Sequence, residues 1–193
     1  ANAGETFSRH TITNVQRGTG TLGGRVAPCA FLDLTTHLRR RVNDSDYDDQ
    51  RETASTGTTA RSAFMDGQRI TTNEAMARVM LKPFRWLRPS FRYQLRGDDF
   101  ATRAENEPVV KTGMLSHIYT ADLFFQLIRD LSATASYSRQ ASTVTTPARL
   151  FQTAYTPAFH ADVNTTLLVL DYTPSARWVM NSSFQYSWAE NFN

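Results

Sequence analysis

The sequence predicts an all-β fold in which long antiparallel strands follow one another up and down. Two observations predict it: apolar and polar residues alternate strictly in segment after segment, and the connections between segments alternate between short and long. Successive side chains of a strand point to opposite faces, so a period of two separates one face from the other, which a helix cannot do.

The alternation is cleanest in three segments. Leu87–Arg96 sets Leu87, Pro89, Phe91, Tyr93 and Leu95 against Arg88, Ser90, Arg92, Gln94 and Arg96. Leu131–Ser138 sets Leu131, Ala133, Ala135 and Tyr137 against four hydroxyl residues. Trp178–Ala189 places Trp178, Met180, Ser182, Phe184, Tyr186 and Trp188 together, opposite Val179, Asn181, Ser183, Gln185 and Ser187. Four further segments follow the same rule with exceptions: Ala30–Arg41, Glu74–Lys82 (a short amphipathic helix is the alternative), His117–Leu127 and Ala161–Tyr172. The last of these carries the run Leu167–Leu170 on both faces, which leaves its facing open. Thr6–Gln16 is a possible eighth strand, and the RGTGTLGGR that follows reads as a turn.

Short links join strand pairs at Lys82–Trp86, Ile128–Asp130 and Thr173–Arg177. Between the pairs lie the polar stretches Asn43–Arg69, Gly97–Gly113 and Gln140–His160. Short turns at one rim and long loops at the other is the arrangement of an up-and-down barrel that crosses a membrane. Residues 1–25 are expected to be a strand or loop leading into the barrel, and residues 26–193 to be its hairpins. Phe84, Trp86, Tyr172 and Trp178 sit beside the short turns, while Tyr93, Tyr137, Tyr186 and Trp188 lie farther along, as two aromatic girdles would.

Composition narrows the function. The 21 basic residues against 18 acidic ones give a net charge of +3, without the dense basic cluster interleaved with stacking aromatics that nucleic acid requires. Mean hydropathy is −0.43, and no apolar run approaches the ~20 residues of a membrane helix. Cys29 is the single cysteine, so there is no disulfide framework, zinc pattern or CxxCH haem attachment site. The chain opens ANAGET, without Met or a leader, and is expected to be a processed product or an internal piece.

The segments LKPFRWLRPSFRYQLRGDD, IYTADLFFQLIRDLSATASYSRQ and LLVLDYTPSARWVMNSSFQYSWAENF resemble hairpins of Gram-negative outer-membrane β-barrels of the porin type. The resemblance is architectural, covers about Val26 to Phe192, and contains no family-defining motif. It implies a bacterial outer-membrane location and a wall that forms a pore or a sheath around a partner. Such barrels usually end in a strand with a terminal aromatic at the short-turn rim. The final Glu190-Asn191-Phe192-Asn193 leaves that rim, so a section of a larger barrel, or one completed by further strands or other chains, is expected.

With apolar faces on outer-membrane lipid, Leu87, Phe91, Tyr93, Leu95, Trp178, Tyr186 and Trp188 would face lipid or form a girdle. Arg39, Arg41, Arg78, Lys82, Arg88, Arg92 and Arg96 would then line the lumen as a basic stripe, with Asp33 and Glu74 for company. A charged lining concentrates ions of opposite sign, so small anionic solutes or an acidic partner are expected. The alternative is that these arginines pair with acids on loops folded inward, such as the run from Asp44 to Glu52.

Chemistry of other kinds is not specified. His10, His37, His117 and His160 form no metal-binding spacing, and GTGTLGG lacks the GK[ST] ending of a phosphate loop. Ser132, Ser136 and Ser138 could imitate a nucleophile near His117, the residues an outer-membrane hydrolase would need, but nothing fixes their geometry. No catalytic residue, cofactor or metal is expected. The other architecture open to such a chain is an all-β sandwich, a structural surface or capsid-like subunit whose apolar faces meet a second sheet.

Overall fold

The computed structural model describes residues 10–50, 65–104, 109–145, 158–175 and 177–192. They form eight strands: β1 (His10–Cys29), β2 (Leu32–Gln50), β3 (Met65–Leu81), β4 (Leu87–Ala104), β5 (Val110–Ile128), β6 (Leu131–Thr145), β7 (Phe159–Ser175) and β8 (Trp178–Phe192). All belong to one sheet in chain order, each antiparallel to the next. The sheet is open, with β1 and β8 as its unpaired edges. No helix occurs among the described residues.

All seven segments read as strands are strands, including Glu74–Lys82, for which a helix was the alternative. Two expectations need correcting. RGTGTLGGR is not a turn: Gly18, Gly20, Gly23 and Gly24 lie inside β1, paired with β2 from Arg17↔Asn43 to Arg25↔Thr35. The cross-strand ladder supplies the extended conformation that glycine does not itself favour. The strands also run well into the expected loops, to Gln50 in β2, Ala104 in β4 and Thr145 in β6. Both faces are polar in those extensions, so alternation gave no signal there. Residues 51–64, 105–108 and 146–157, the rest of the long connections, lie outside the described residues, as do Thr6–Arg9.

The short turns step regularly. One row perpendicular to the strands contains Gly24, Thr36, Ala77, Tyr93, Tyr119, Arg139, Asn164 and Trp188. Within the four hairpins, the pairs Gly24–Thr36, Ala77–Tyr93, Tyr119–Arg139 and Asn164–Trp188 are separated by 12, 16, 20 and 24 residues of chain. Each hairpin therefore reaches two residues deeper than the one before it. With a rise of ~3.3 Å per residue and ~4.8 Å between strands, the line through the turns is inclined by about 35° to the perpendicular row. Single backbone hydrogen bonds fasten successive turns to the next hairpin: Lys82 N–H to Phe31 O, Gln126 N–H to Trp86 O and Thr173 N–H to Asp130 O.

Because paired residues share a face, the two chemical faces remain separate across the sheet. Rows such as Val26, Leu34, Val79, Phe91, Ala121, Tyr137, Thr166, Tyr186 make one face; rows such as Arg25, Thr35, Arg78, Arg92, Thr120, Ser138, Thr165, Ser187 make the other. Leu168 and Leu170 lie on the apolar face and Leu167 and Val169 on the polar one, which resolves the ambiguous run. The described residues form a single layer, and none of them packs on the apolar side. Among the described residues Ala133 is the one buried hydrophobic residue, while Leu22, Phe91, Trp178 and Phe184 are half exposed or more.

Gly67 supports a test of this packing. A Cβ placed there would lie 3.0 Å from Arg103 Nη2, 3.2 Å from Ser45 O and 3.3 Å from Asp46 Oδ1, whereas at Gly20 nothing lies within 4 Å. Gly67→Val should therefore destabilise by about 1–3 kcal/mol through overpacking, and Gly20→Val should stay within about 0.5 kcal/mol. Urea unfolding midpoints of the two variants check this, and equal midpoints would contradict the register at Gly67.

Candidate functional site

The polar face holds every member of the expected basic stripe that lies within a strand. Arg39 and Arg41 come from β2, Arg78 from β3, and Arg88, Arg92 and Arg96 from β4. Lys82 follows β3 and reaches the same face to meet Asp33. Alternation fixes this placement, because these strands keep an unbroken register from Leu32↔Leu81 to Asp46↔Gly67 and from Gly67↔Arg103 to Met80↔Ser90. The residues expected on the apolar face, Leu87, Phe91, Tyr93, Leu95, Trp178, Tyr186 and Trp188, are all on it.

Long polar side chains on this face cover short ones. Asp33, Ser45, Ser90, Asp98, Ser116 and Thr120 are buried although no second layer exists, and Ser116 is 1% exposed. Burial of polar groups demands partners, and hydroxyls and carboxylates supply them. Asp98 accepts from Thr72 Oγ1 at 2.6 Å and from Arg96 Nε at 2.7 Å. Asp122 accepts from Ser136 Oγ at 2.6 Å and Ser90 Oγ at 3.1 Å. Ser116 and Ser142 share a hydrogen bond of 2.9 Å.

The ion pairs divide the stripe in two. Arg39 is held by Glu74 at 2.5 Å, Arg96 by Asp98, and Lys82 shares Asp33 with Arg25. Arg41, Arg78, Arg88 and Arg92 have no carboxylate within 4.0 Å among the described residues. Arg78 instead donates to Ser90 Oγ at 3.1 Å, Arg92 to Thr120 Oγ1 at 3.3 Å, and the Arg88 guanidinium lies 5.5 Å from the centre of the Phe124 ring. Nε of Arg78 and of Arg92 is buried without a partner.

The aspartates after Asn43 do not fold back to neutralise this group: β2 continues through Asp44, Asp46, Asp48 and Asp49, and Asp44 and Asp46 pair with Arg69 and Arg103 at the far end of the sheet. Glu52 lies outside the described residues. Asp44 is nine residues along β2 from Thr35, the residue paired with Arg78, or ~30 Å of extended chain. Sequence reasoning had named Asp33 and Glu74 but missed Asp98, Asp122 and Arg25. Arg25 and Asp98 lie in segments read as a turn and a loop, and Asp122, whose alternation was visible, has its partners on β4 and β6.

The apolar face has its own order. Phe84 and Trp86 stack at 5.3 Å beside a short turn. At the other end Tyr93 and Tyr119 lie 5.1 Å apart, Tyr186 and Trp188 5.6 Å, and Tyr137 and Trp188 6.5 Å. Tyr93 Oη is 2.9 Å from His117 Nδ1, and Tyr137 donates to Asn164 Oδ1 at 2.8 Å, so these two hydroxyls are satisfied within the face. His117 is on the apolar face, and Ser132, Ser136 and Ser138 are on the polar one, so the backbone sheet separates the groups a serine nucleophile would need together. Among the described residues no group of three or more possible metal ligands occurs.

No family model, curated protein or solved structure matches this chain.

The buried and exposed ion pairs should differ in weight. Asp98→Ala removes the acceptor of Thr72 and Arg96 in a site 2% exposed, a loss of about 1–3 kcal/mol for groups left unpaired. Asp46→Ala breaks an exposed pair with Arg103 and should cost under about 1 kcal/mol. Urea unfolding of both variants checks the ranking, and an equal or reversed order would show that the polar face is solvated rather than self-covered.

Proposed function

We propose that this chain is wall of a bacterial outer-membrane β-barrel, with its apolar face on lipid and its polar face lining an interior that serves as a pore or encloses a partner. The observation that carries the reading is the stepped register of the four hairpins. An inclination of about 35° falls in the strand-tilt range of closed barrels, including membrane ones. If the short turns mark one membrane surface, the strands cross the membrane at that tilt.

The apolar face fits such a placement. Trp178 and Trp188 lie toward opposite ends of it on β8, ten residues apart. Corrected for tilt, this is about 27 Å, close to the ~25 Å apolar band of such barrels. The far limit also falls in step with the turns. Beyond the band, charged residues enter this face at Arg40 in β2 but already at Arg139 in β6, four rows nearer the turns' side. In water, side chains such as Leu22, Phe91 and Phe184 would each forgo ~1.5–3 kcal/mol of burial, which lipid contact returns.

The interior reading rests on the uncompensated arginines. Arg78, Arg88 and Arg92 form a compact group on two adjacent strands, near Arg25, and favour anions or an acidic partner in the space they face. Closure needs partner strands for the free edges of β1 and β8, from each other or from further strands of this or another chain. A β-sandwich would need a second sheet over the apolar face, and neither the aromatic ends nor the stepped turns call for one.

Spin labels at Phe91, Leu95 and Ala133 in vesicle-reconstituted protein should be accessible to oxygen and shielded from a water-soluble nickel relaxant. The reverse pattern would end the membrane reading. For the interior, Arg78→Gln, Arg88→Gln and Arg92→Gln together should move the reversal potential of the reconstituted full-length protein toward cations, or release an acidic partner on pull-down. Arg96→Gln should do less, because Asp98 already neutralises Arg96. Equal effects of the two sets would show that pairing with Asp98 does not screen Arg96.

A further inference from the structure

We infer that Arg78 and Arg92 form a binding site for the tetrahedral oxyanion of a small solute, of the phosphate class. The inference rests on the reading of the polar face as an interior lining and adds a defined ligand and position to it.

Arg78 and Arg92 are directly opposite one another on β3 and β4. Cβ atoms at such positions are ~4.5–5.5 Å apart, and like charges placed there repel. Elsewhere on this face the corresponding position is filled by complementary charge: Glu74 lies opposite both Arg39 and Arg96. The row of Arg78 and Arg92 has no such acid, since it continues with Thr35 on one side and Thr120 on the other. Along their own strands the neighbours on this face are Met76 and Met80, and Gln94 and Ser90, all uncharged. The next row holds two carboxylates: Asp122, which accepts from the hydroxyls of Ser90 and Ser136, and Asp33, which is held by Arg25 and Lys82; neither binds either guanidinium of the pair. Arg88, without a carboxylate of its own among the described residues, adds further positive charge to the same region.

Each guanidinium of the pair spends one Nη on a hydroxyl, of Ser90 or Thr120, and leaves its Nε buried and unpartnered. Ser90 and Thr120 are themselves 7% and 3% exposed, so the donors are held from beneath. An oxyanion bridging the two guanidiniums turns a repulsion into charge-assisted hydrogen bonds. A tetrahedral anion suits the pair better than a planar carboxylate, because two forks on separate strands approach from different directions. Phosphate offers acceptor oxygens in each, whereas a carboxylate offers two in one plane.

The test is arginine modification by phenylglyoxal in detergent-solubilised full-length protein, read by peptide mass mapping. It needs no pore. Inorganic phosphate is compared with chloride at equal ionic strength. Phosphate should slow labelling of both Arg78 and Arg92 by about fivefold or more, a binding effect rather than screening of exposed charge, and leave the labelling of Arg129 in its exposed turn unchanged. In Arg78→Gln the protection of Arg92 should disappear, and in Arg78→Lys, which keeps the charge without the fork, it should weaken. Arg96→Gln should retain it. Equal rates in phosphate and chloride, or no labelling of either arginine in any condition, overturn the site. Because labelling and reversal potential are separate readouts, the site can fail while anion preference persists, and spin-label accessibility reports independently on the wall itself.

Discussion

The structure depends on one constraint, that side-chain parity survives seven consecutive strand pairings. A shift of one residue in any ladder would send every following side chain to the opposite face. The four register irregularities fall where they do no such harm. Those between Val26 and Cys29, Gln126 and Ile128, and Tyr172 and Ser175 are at short turns, and that between Met65 and Gly67 is at the far end of β3. Between these points the ladders are regular, and a chain with almost no buried hydrophobic residue still keeps two chemically distinct surfaces. The organising force within the sheet is therefore the backbone ladder, reinforced on the polar face by ion pairs and hydroxyl networks.

That explains what was legible. Where one face is apolar and the other polar, alternation alone located the strand and its facing, as in Leu87–Arg96 and Trp178–Ala189. It failed where both faces are polar, beyond Val42 in β2 or Gly97 in β4, because a period of two cannot be seen without contrast. It failed in β1 for a different reason. Glycine carries no facing information, and clustered glycines obey turn statistics until a neighbouring strand holds them extended. The stripe was legible as a set of positions but not as a set of charges. Glu74 is 35 residues from Arg39 in the chain, and only the register of β2 on β3 brings them together. The acidic run after Asn43 looked like the natural counter-charge because it is near Arg39 and Arg41 in sequence. Extended chain carries it out of reach instead.

Electrostatics and packing on the polar face are linked by this arrangement. A guanidinium laid across a neighbouring strand removes water from the short side chains beneath it, which raises the value of each remaining hydrogen bond and the cost of each missing one. Arg96 meets that requirement through Asp98, and Arg39 has its charge cancelled by Glu74 although its Nε, like those of Arg78 and Arg92, is buried without a partner. Arg78 and Arg92 meet it in part, through hydroxyls that do not cancel charge. Residues of one type, repeated at even spacing on one face, thus fall into a structural group and an electrostatically active group. The distinction comes from which strand supplies a carboxylate.

The stepped turns also constrain what the interior can be. One residue of stagger per strand corresponds to a shear about equal to the strand number, and at eight strands a barrel interior is just wide enough for side chains to fill it. If β1 and β8 met directly, the arginines of β2, β3 and β4 would share that narrow space with the side chains of the five other strands. They would form a plugged core, with no aqueous passage. A conducting interior, or one enclosing a macromolecular partner, requires a larger circumference at the same tilt, and so additional strands between β8 and β1, whereas a single small ligand does not. Passage and closure by these eight strands are thus mutually exclusive on geometric grounds. An anion-selective pore with this face as its lining would have to be wider than the described sheet alone can make it.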